Sequence, residues 1–171
     1  MQMGETFVRM PANRDEVNLY TSLGEALMKT QVVEQALSHS ITLKMNPNET
    51  KERADEFLQQ KQRYTLGQAI KLAVKEKLYS QPIQSELDAF LEQRNWLVHN
   101  VICGNEEDFN TGLIKNELLD KIHSIADKAA IIHRSIEYDL IGFCESKGKD
   151  MSKIRTVLEL QDQGMRIRTK S

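Results

Sequence analysis

The sequence from Glu92 to Asn100 reads EQRNWLVHN and lies near the C-terminal end of a helix predicted over residues 82–102. Apolar residues in this helix recur at steps of three and four, which is typical of a helix with one core-facing side. That side comprises Ile83, Leu87, Phe90, Leu91, Leu97, Val98 and Val101. Arg94 lies in the middle of it, although a guanidinium keeps its proton and is costly to bury without partners. A pattern interrupted in this way is typical of a functional site.

A second set of polar residues lies on another face of the same helix. Asn95 and His99 are four residues apart, which places them one turn from each other, and Glu92 lies close to His99 around the helix. Arg94 and His99 are five residues apart, which is about 140° around an ideal α-helix. One straight helix would therefore not point both side chains at the same group of a ligand, such as one phosphate. A symmetric dimer would remove this difficulty, because each subunit could supply part of a composite site.

The residues Arg94-Asn95-x-x-x-His99 match the R-x(4–6)-H motif of the HEPN (higher eukaryotes and prokaryotes nucleotide-binding) superfamily, in which a polar residue, often Asn, follows the Arg. The stretch from Thr65-Leu66-Gly67-Gln68 to His99 also resembles a group of small bacterial HEPN-like proteins with a TLG…RNWLxH pattern. The resemblance implies an all-α fold and a homodimer in which paired Arg and His residues face each other at the interface. It also implies metal-independent cleavage of RNA.

The sequence departs from one branch of that superfamily. In toxins paired with small nucleotidyltransferases, a Tyr two residues after the His is the target of nucleotidylation. This chain has Val101 at that position. The resemblance therefore gives no basis for regulation by modification at this site.

The chemistry of metal-free RNA cleavage assigns a role to each motif residue. A base must take the proton of the 2′-OH, an acid must protonate the leaving 5′ oxygen, and a cation must hold the crowded phosphorane. His99 is the candidate proton carrier, and Arg94 presents a fork of donors that matches phosphate oxygens. Asn95 could fix the tautomer of His99 or bond the RNA backbone, and Glu92 could orient His99. The products would carry a 2′,3′-cyclic phosphate and a 5′-hydroxyl.

The same four residues have a structural interpretation. Arg94 could bond helix-end carbonyls, and His99 could be an ordinary surface or core histidine. Glu92 and Asn95 could simply belong to a solvated helix face. We keep all four as candidate catalytic residues.

Three further residues are candidate RNA contacts. Trp96 could stack on a base, although packing against a neighbouring helix is the commoner role of such an aromatic and the one we favour. Lys71 and Lys75 lie on the polar side of the preceding short helix, where a solvated face is the commoner role.

Composition restricts the class of protein. The chain has 171 residues, which is enough for one domain with a sizeable core. No apolar stretch approaches the length of a membrane span and the N-terminus lacks a signal-peptide pattern, so we expect a cytoplasmic protein without a membrane partner. The formal net charge of −2 argues against a broadly basic nucleic-acid coat, but a local basic site can hold one phosphate.

Metal-ligand spacing is absent from the sequence. No two of His39, His123 and His133 are three or four residues apart, and Cys103 and Cys144 show no ligand spacing. We therefore expect no metal and no other cofactor, and both cysteines should be reduced in the cytosol.

The periodicity predicts an all-α, up-and-down bundle of four to six helices. Residues 14–45 form a long helix, with Asn13 as N-cap and Glu16 completing a capping box, and Thr65 with Gln68 forms a second capping box. Residues 49–63 form a charged surface helix, residues 108–146 one uninterrupted helix, and residues 151–163 the last helix. We divide the chain into a flexible segment (1–12), a single HEPN-like domain (13–163) and a basic tail (164–171).

The sequence thus leads to a functional hypothesis and an alternative. The hypothesis is a HEPN-type endoribonuclease that acts as a dimer, a toxin or defence effector that a regulatory protein partner or antitoxin restrains. The alternative is a catalytically silent helical protein that uses the same dimer surface, or the helix over residues 108–146, to bind a partner.

Overall fold

Six α-helices make up the part of the chain that the structure describes. The computed structural model describes residues 11–48, 53, 56 and 64–166. In chain order the helices are α1 (Arg14–Met45), α2 (Leu66–Lys75), α3 (Gln81–Asn95), α4 (Glu106–Thr111), α5 (Asn116–Ser146) and α6 (Ser152–Asp162). No strand occurs among the described residues, and the prediction of an all-α bundle is confirmed.

The two longest helices, α1 and α5, run parallel to each other. Near their N-terminal ends, Ser22 Oγ lies 2.8 Å from His123 Nε2. Toward their C-terminal ends, Lys44 forms an ion pair with Asp139. Contacts between these two helices are the most extensive in the molecule.

Helix α3 runs antiparallel to α5 and packs along it. Glu86 in the first half of α3 pairs with Lys128 at 3.3 Å, and Trp96, just after α3, lies under the ammonium of Lys121. Since α5 is parallel to α1, α3 is also antiparallel to α1, which is the up-and-down order that the periodicity predicts.

One hydrophobic core lies between α1, α2, α3 and α5. Its largest fully buried side chains include Leu19, Leu37, Ile41, Leu66, Leu87, Phe90, Ile122, Ile125, Ile132 and Ile136. With the smaller buried residues Ala26, Val33 and Ala129 included, the steps are four or seven along α1 and three or four from Ile122 to Ile136 of α5, so the predicted apolar stripes of both helices do face the core. Helix α6 lies outside this core and packs against α5.

The first helix begins and ends where the sequence predicts. Asn13 Oδ1 accepts the Glu16 N–H at 2.9 Å, and the Glu16 carboxylate accepts the Asn13 N–H at 2.7 Å. Thr65 and Gln68 make the same reciprocal pair at the start of α2. Both capping boxes are therefore confirmed, and each satisfies two backbone donors that a helix start leaves without partners.

The predicted long helix of the C-terminal half is confirmed over Asn116–Ser146, but its predicted start at residue 108 is wrong. Helix α4 ends at Thr111, and Gly112 takes a φ of +68°, a backbone conformation that favours glycine. The buried carboxylate of Asp108 accepts the Lys115 N–H at 3.3 Å, and Asn13 Nδ2 donates to the Gly112 carbonyl at 3.1 Å. These two hydrogen bonds hold the turn between α4 and α5. The apolar steps of three and four begin only at Ile114, so they do not indicate how the residues before it are wound.

Several predicted segments fall mainly outside the described residues. These are the flexible segment over residues 1–12, the charged helix over residues 49–63 and the tail over residues 164–171. Arg53 and Glu56 are helical and exposed, and residues 164–166 are exposed. The domain boundaries stay predictions.

Candidate functional site

The motif helix changes its winding inside the motif. Helix α3 ends at Asn95, and the next five residues form a π-turn (Trp96–Asn100). Backbone hydrogen bonds in a π-turn join residues five apart, whereas those in an α-helix join residues four apart. The α-helix predicted over residues 82–102 is therefore wrong after Asn95. The wider turn reduces the angular separation of Arg94 and His99 below the value of about 140° for an ideal α-helix.

Arg94 lies at the edge of the core and is paired. Its Nε donates to Glu34 Oε1 at 3.0 Å, and its Nη1 donates to Asn95 Oδ1 at 3.4 Å. The side chains of Arg94 and Glu34 are 22% and 29% exposed, so the pair is half-buried and still open to solvent on one side. Glu34 thus offsets the cost of placing a guanidinium beside an apolar surface.

His99, Glu92 and Asn95 are exposed. No hydrogen bond or ion pair engages the side chain of His99 or Glu92 within residues 11–48, 53, 56 and 64–166. Glu92 therefore does not orient His99 through a hydrogen bond, and the hydrogen bonds of Arg94 go to Glu34 and Asn95 rather than to His99. Within one chain the fold brings together Arg94, Asn95 and Glu34, and it leaves His99 accessible on the π-turn.

One apolar residue of the π-turn does not face the core. Leu97 is 2% exposed and Val101 is at the limit of burial, as the apolar pattern predicts. Val98 is 41% exposed, so its assignment to the core-facing side is wrong. Val98 follows Leu91 by seven residues, so both lie at the same margin of the apolar side, and Leu91 too is only partly buried.

The three candidate RNA contacts lie in different environments. Trp96 is partly buried against the core, and the Lys121 ammonium lies 3.6 Å from the centre of its ring. Lys71 is exposed on α2. Lys75 is also exposed and lies 3.8 Å from Glu76. Trp96 thus packs against its neighbours in the core, as the sequence analysis favours. The Lys121 ammonium covers one face of its indole.

A polar groove adjoins the pair of Arg94 and Glu34. Its volume is about 320 Å³, and it is lined by Gln31, Glu34, Gln35, Ser38 and Tyr64. Neither the groove nor the role of Glu34 is predicted from the sequence, because Glu34 lies outside the apolar side of α1 that the periodicity indicates. Glu34 and Arg94 are 60 residues apart, and no local pattern indicates that they meet.

The remaining histidines lie away from the motif. His39 and His133 line a second groove of about 420 Å³ between α1 and α5, and His123 meets Ser22. Among the described residues, no group of three or more His, Cys, Asp or Glu side chains is arranged to hold a metal ion. None of the described helices combines the length and the apolar character needed to cross a bilayer.

Comparison with known proteins identifies no relative. No family model matches the chain, and neither the curated proteins nor the solved structures contain a match to it. Functional inference therefore rests on the residues and on their geometry.

Proposed function

We propose that the chain is a HEPN-type endoribonuclease that acts as a homodimer on RNA without a metal ion. The observation that carries the proposal is the π-turn between Arg94 and His99. It replaces the regular helix within the motif itself, and it presents an accessible imidazole five residues after a half-buried guanidinium. π-turns are rare overall and frequent at functional sites.

Arg94 is placed to bind a phosphate without losing its support. A guanidinium has five N–H donors, of which one is used by Glu34 and one by Asn95. The remaining donors can engage phosphate oxygens and stabilise the charge of the phosphorane. Glu34 acts in this proposal as a positioning residue that fixes the plane of the guanidinium.

The dimer supplies the two proton carriers that the reaction needs. Cleavage requires one base and one acid, and each motif contains a single histidine, His99. Two copies of His99 across a two-fold axis could take these two roles, with Arg94 of each subunit at the scissile phosphate. The 2′-oxygen then attacks phosphorus, and the 5′ oxygen leaves with a proton.

The biological setting follows from the proposed activity. An unrestrained ribonuclease harms the cell that makes it, so we propose a toxin or defence effector under the control of a protein partner or antitoxin. Its substrate would place it in the cytoplasm.

The proposal can be tested with purified protein and total cellular RNA in the presence of EDTA. Wild-type protein should release fragments with 5′-hydroxyl ends, and Arg94→Ala and His99→Ala should each abolish cleavage. His39→Ala, which changes an exposed histidine of α1 away from the motif, is the matched control and should cleave like wild type. Cleavage that persists in His99→Ala, or that requires a divalent cation, would contradict the proposal.

A second candidate function is partner binding without catalysis. The observation that favours it is a set of exposed apolar side chains on α1, on the side away from the core. The exposed fractions are 51% for Val17, 57% for Tyr20, 70% for Met28 and 42% for Val32. Clustered apolar side chains on a surface often mark a protein interface.

Growth assays separate the two functions. If the wild-type protein is toxic in a host cell and His99→Ala is harmless while still folded and dimeric, the enzyme is favoured. If the wild-type protein is harmless and Arg94→Ala only destabilises it, partner binding is favoured.

A further inference from the structure

The polar groove beside Arg94 has the size and the shape of a ligand site. Its volume of about 320 Å³ lies at the lower end of the range for small-ligand pockets. One of its walls is formed by α1, through Gln31, Glu34, Gln35 and Ser38, and Tyr64 lines it from the residues that precede α2. Glu34 belongs to this wall and also binds Arg94, so the groove and the guanidinium are adjacent.

The groups in the groove match the edge of a nucleobase. Glu34 Oε1 accepts the Nε–H of Arg94, and Oε2 has no hydrogen-bond partner among the described residues. A carboxylate only accepts hydrogen bonds. Guanine is the one RNA base with two adjacent N–H donors on its Watson–Crick edge. The Glu34 carboxylate can accept both, one at Oε2 and one at the lone pair of Oε1 that Arg94 does not use. The amides of Gln31 and Gln35 can both donate and accept, and they suit the neighbouring carbonyl and ring nitrogens.

An aromatic ring lies in the same groove. Tyr64 is 41% exposed, so part of its side chain is accessible to a ligand. Single-stranded RNA is commonly recognised by splayed bases that stack on aromatic rings and hydrogen-bond through their edges. An aromatic ring, a carboxylate and two amides around one groove provide both kinds of contact.

We propose that this groove binds a guanine base of the substrate, next to the phosphate that Arg94 holds. The identification of the ligand as RNA rests on the proposed function, whereas the selection of guanine rests on the groove itself. The enzyme would then cleave beside guanines in single-stranded RNA.

Mononucleotide binding tests the groove independently of cleavage. Calorimetric titration of the full-length protein should give tighter binding for guanosine 5′-monophosphate than for the adenosine, cytidine and uridine monophosphates. Tyr64→Ala should weaken binding of the guanosine nucleotide about tenfold through loss of stacking, and Tyr64→Phe, which keeps the ring, should retain it. Gln35→Ala should also reduce the preference for guanosine. Equal affinity for all four nucleotides, or Tyr64→Ala that binds like wild type, would overturn the assignment.

Cleavage mapping on one RNA distinguishes failure of the groove from failure of the nuclease proposal. Cuts by wild type should lie beside guanines, and Tyr64→Ala should cut with less base preference. Cleavage without base preference would refute the guanine site and leave the nuclease in place. Guanosine binding without any cleavage would support the site and refute the nuclease. Thermal melting of each variant confirms that the compared proteins are folded.

Discussion

The guanidinium of Arg94 and the carboxylate of Glu34 form an ion pair between the end of α3 and the middle of α1, with Nε and Oε1 3.0 Å apart. The pair closes one edge of the core and also borders the polar groove. Its two side chains are half-buried, so each charge has lost part of its hydration and depends on the other. The contact between Arg94 and Glu34 therefore contributes both to the stability of the core and to the candidate site.

Glu34→Gln should lower the free energy of unfolding by about 1 kcal/mol, because it leaves the half-buried guanidinium without its anion. Urea denaturation measures the change. Glu86→Gln is the matched control, since it breaks the pair of Glu86 with Lys128, whose side chains are 41% and 31% exposed. The loss for Glu86→Gln should be smaller, and equal losses would show that Glu34 has no special role in stability.

Leu97→Ala should destabilise the protein by about 2–5 kcal/mol, because it removes a fully buried side chain below the π-turn. Val98→Ala, at the next position, should cost less than about 1 kcal/mol because that side chain is exposed. Chemical denaturation of both variants tests which of the two side chains faces the core. A larger loss for Val98→Ala than for Leu97→Ala would contradict the burial of Leu97 and the exposure of Val98.

The contrast between Leu97 and Val98 shows how far the sequence can predict this fold. Steps of three and four locate α1 and α5 and the side of each that faces the core, because burial of apolar surface is what selects that pattern. The capping residues Asn13 and Thr65 locate two helix starts. Periodicity does not show where the apolar side of a helix ends, so it assigns Val98, at the margin of that side, to the core.

Gly112→Ala should destabilise the protein by more than about 1 kcal/mol. An L side chain at a φ of +68° is strained, and its Cβ would lie 2.8 Å from Asn13 Nδ2 and 3.0 Å from the Glu16 carboxyl carbon. Thermal melting measures the effect.

Gly142→Ala provides the opposite control. Gly142 lies within α5, and nothing lies within 4 Å of the position that its Cβ would take. Alanine there should raise stability by about 0.5–1 kcal/mol, because it restricts the unfolded chain and favours the helix. A similar loss in both variants would contradict the turn geometry at Gly112.

Stability should fall at alkaline pH through Tyr79. Burial raises the pKa of its phenol well above the ordinary value of 10.0, and the negative charge of Asp139 adds to the rise, while the hydrogen bond to Ser40 opposes it. The Lys44 ammonium also faces the ring, 4.1 Å from its centre. As the pH rises past about 10, the unfolded chain loses the Tyr79 proton and the folded chain keeps it, so the folded state loses stability.

Tyr79→Phe should therefore show a shallower fall in unfolding free energy between pH 8 and about pH 11 than wild type. At neutral pH the variant should be less stable by about 1 kcal/mol, because the 2.7 Å hydrogen bond to Ser40 is lost. Tyr20→Phe, at an exposed position of α1, is the matched control and should keep the wild-type slope. Identical slopes for wild type and Tyr79→Phe would contradict the assignment.

The candidate site was only partly predictable from the sequence. The motif identifies Arg94 and His99 because both lie within a few residues of each other. Glu34 and Tyr64 belong to other segments, and the groove beside Arg94 depends on how Tyr64 and the end of α3 are placed against α1. No local sequence pattern indicates which distant residues come together, so the positions of Glu34 and Tyr64 are known only from the folded structure.

The π-turn has a consequence for chain length. Because each of its hydrogen bonds spans one residue more than in an α-helix, the segment holds one residue in excess of regular winding. Deleting one of the exposed residues there could restore an α-helix and leave the preceding packing of Leu87 and Phe90 unchanged. A deletion between Arg94 and His99 would leave three residues between them, one fewer than the R-x(4–6)-H motif has. The extra residue of the π-turn thus gives this chain the shortest spacing that the motif allows.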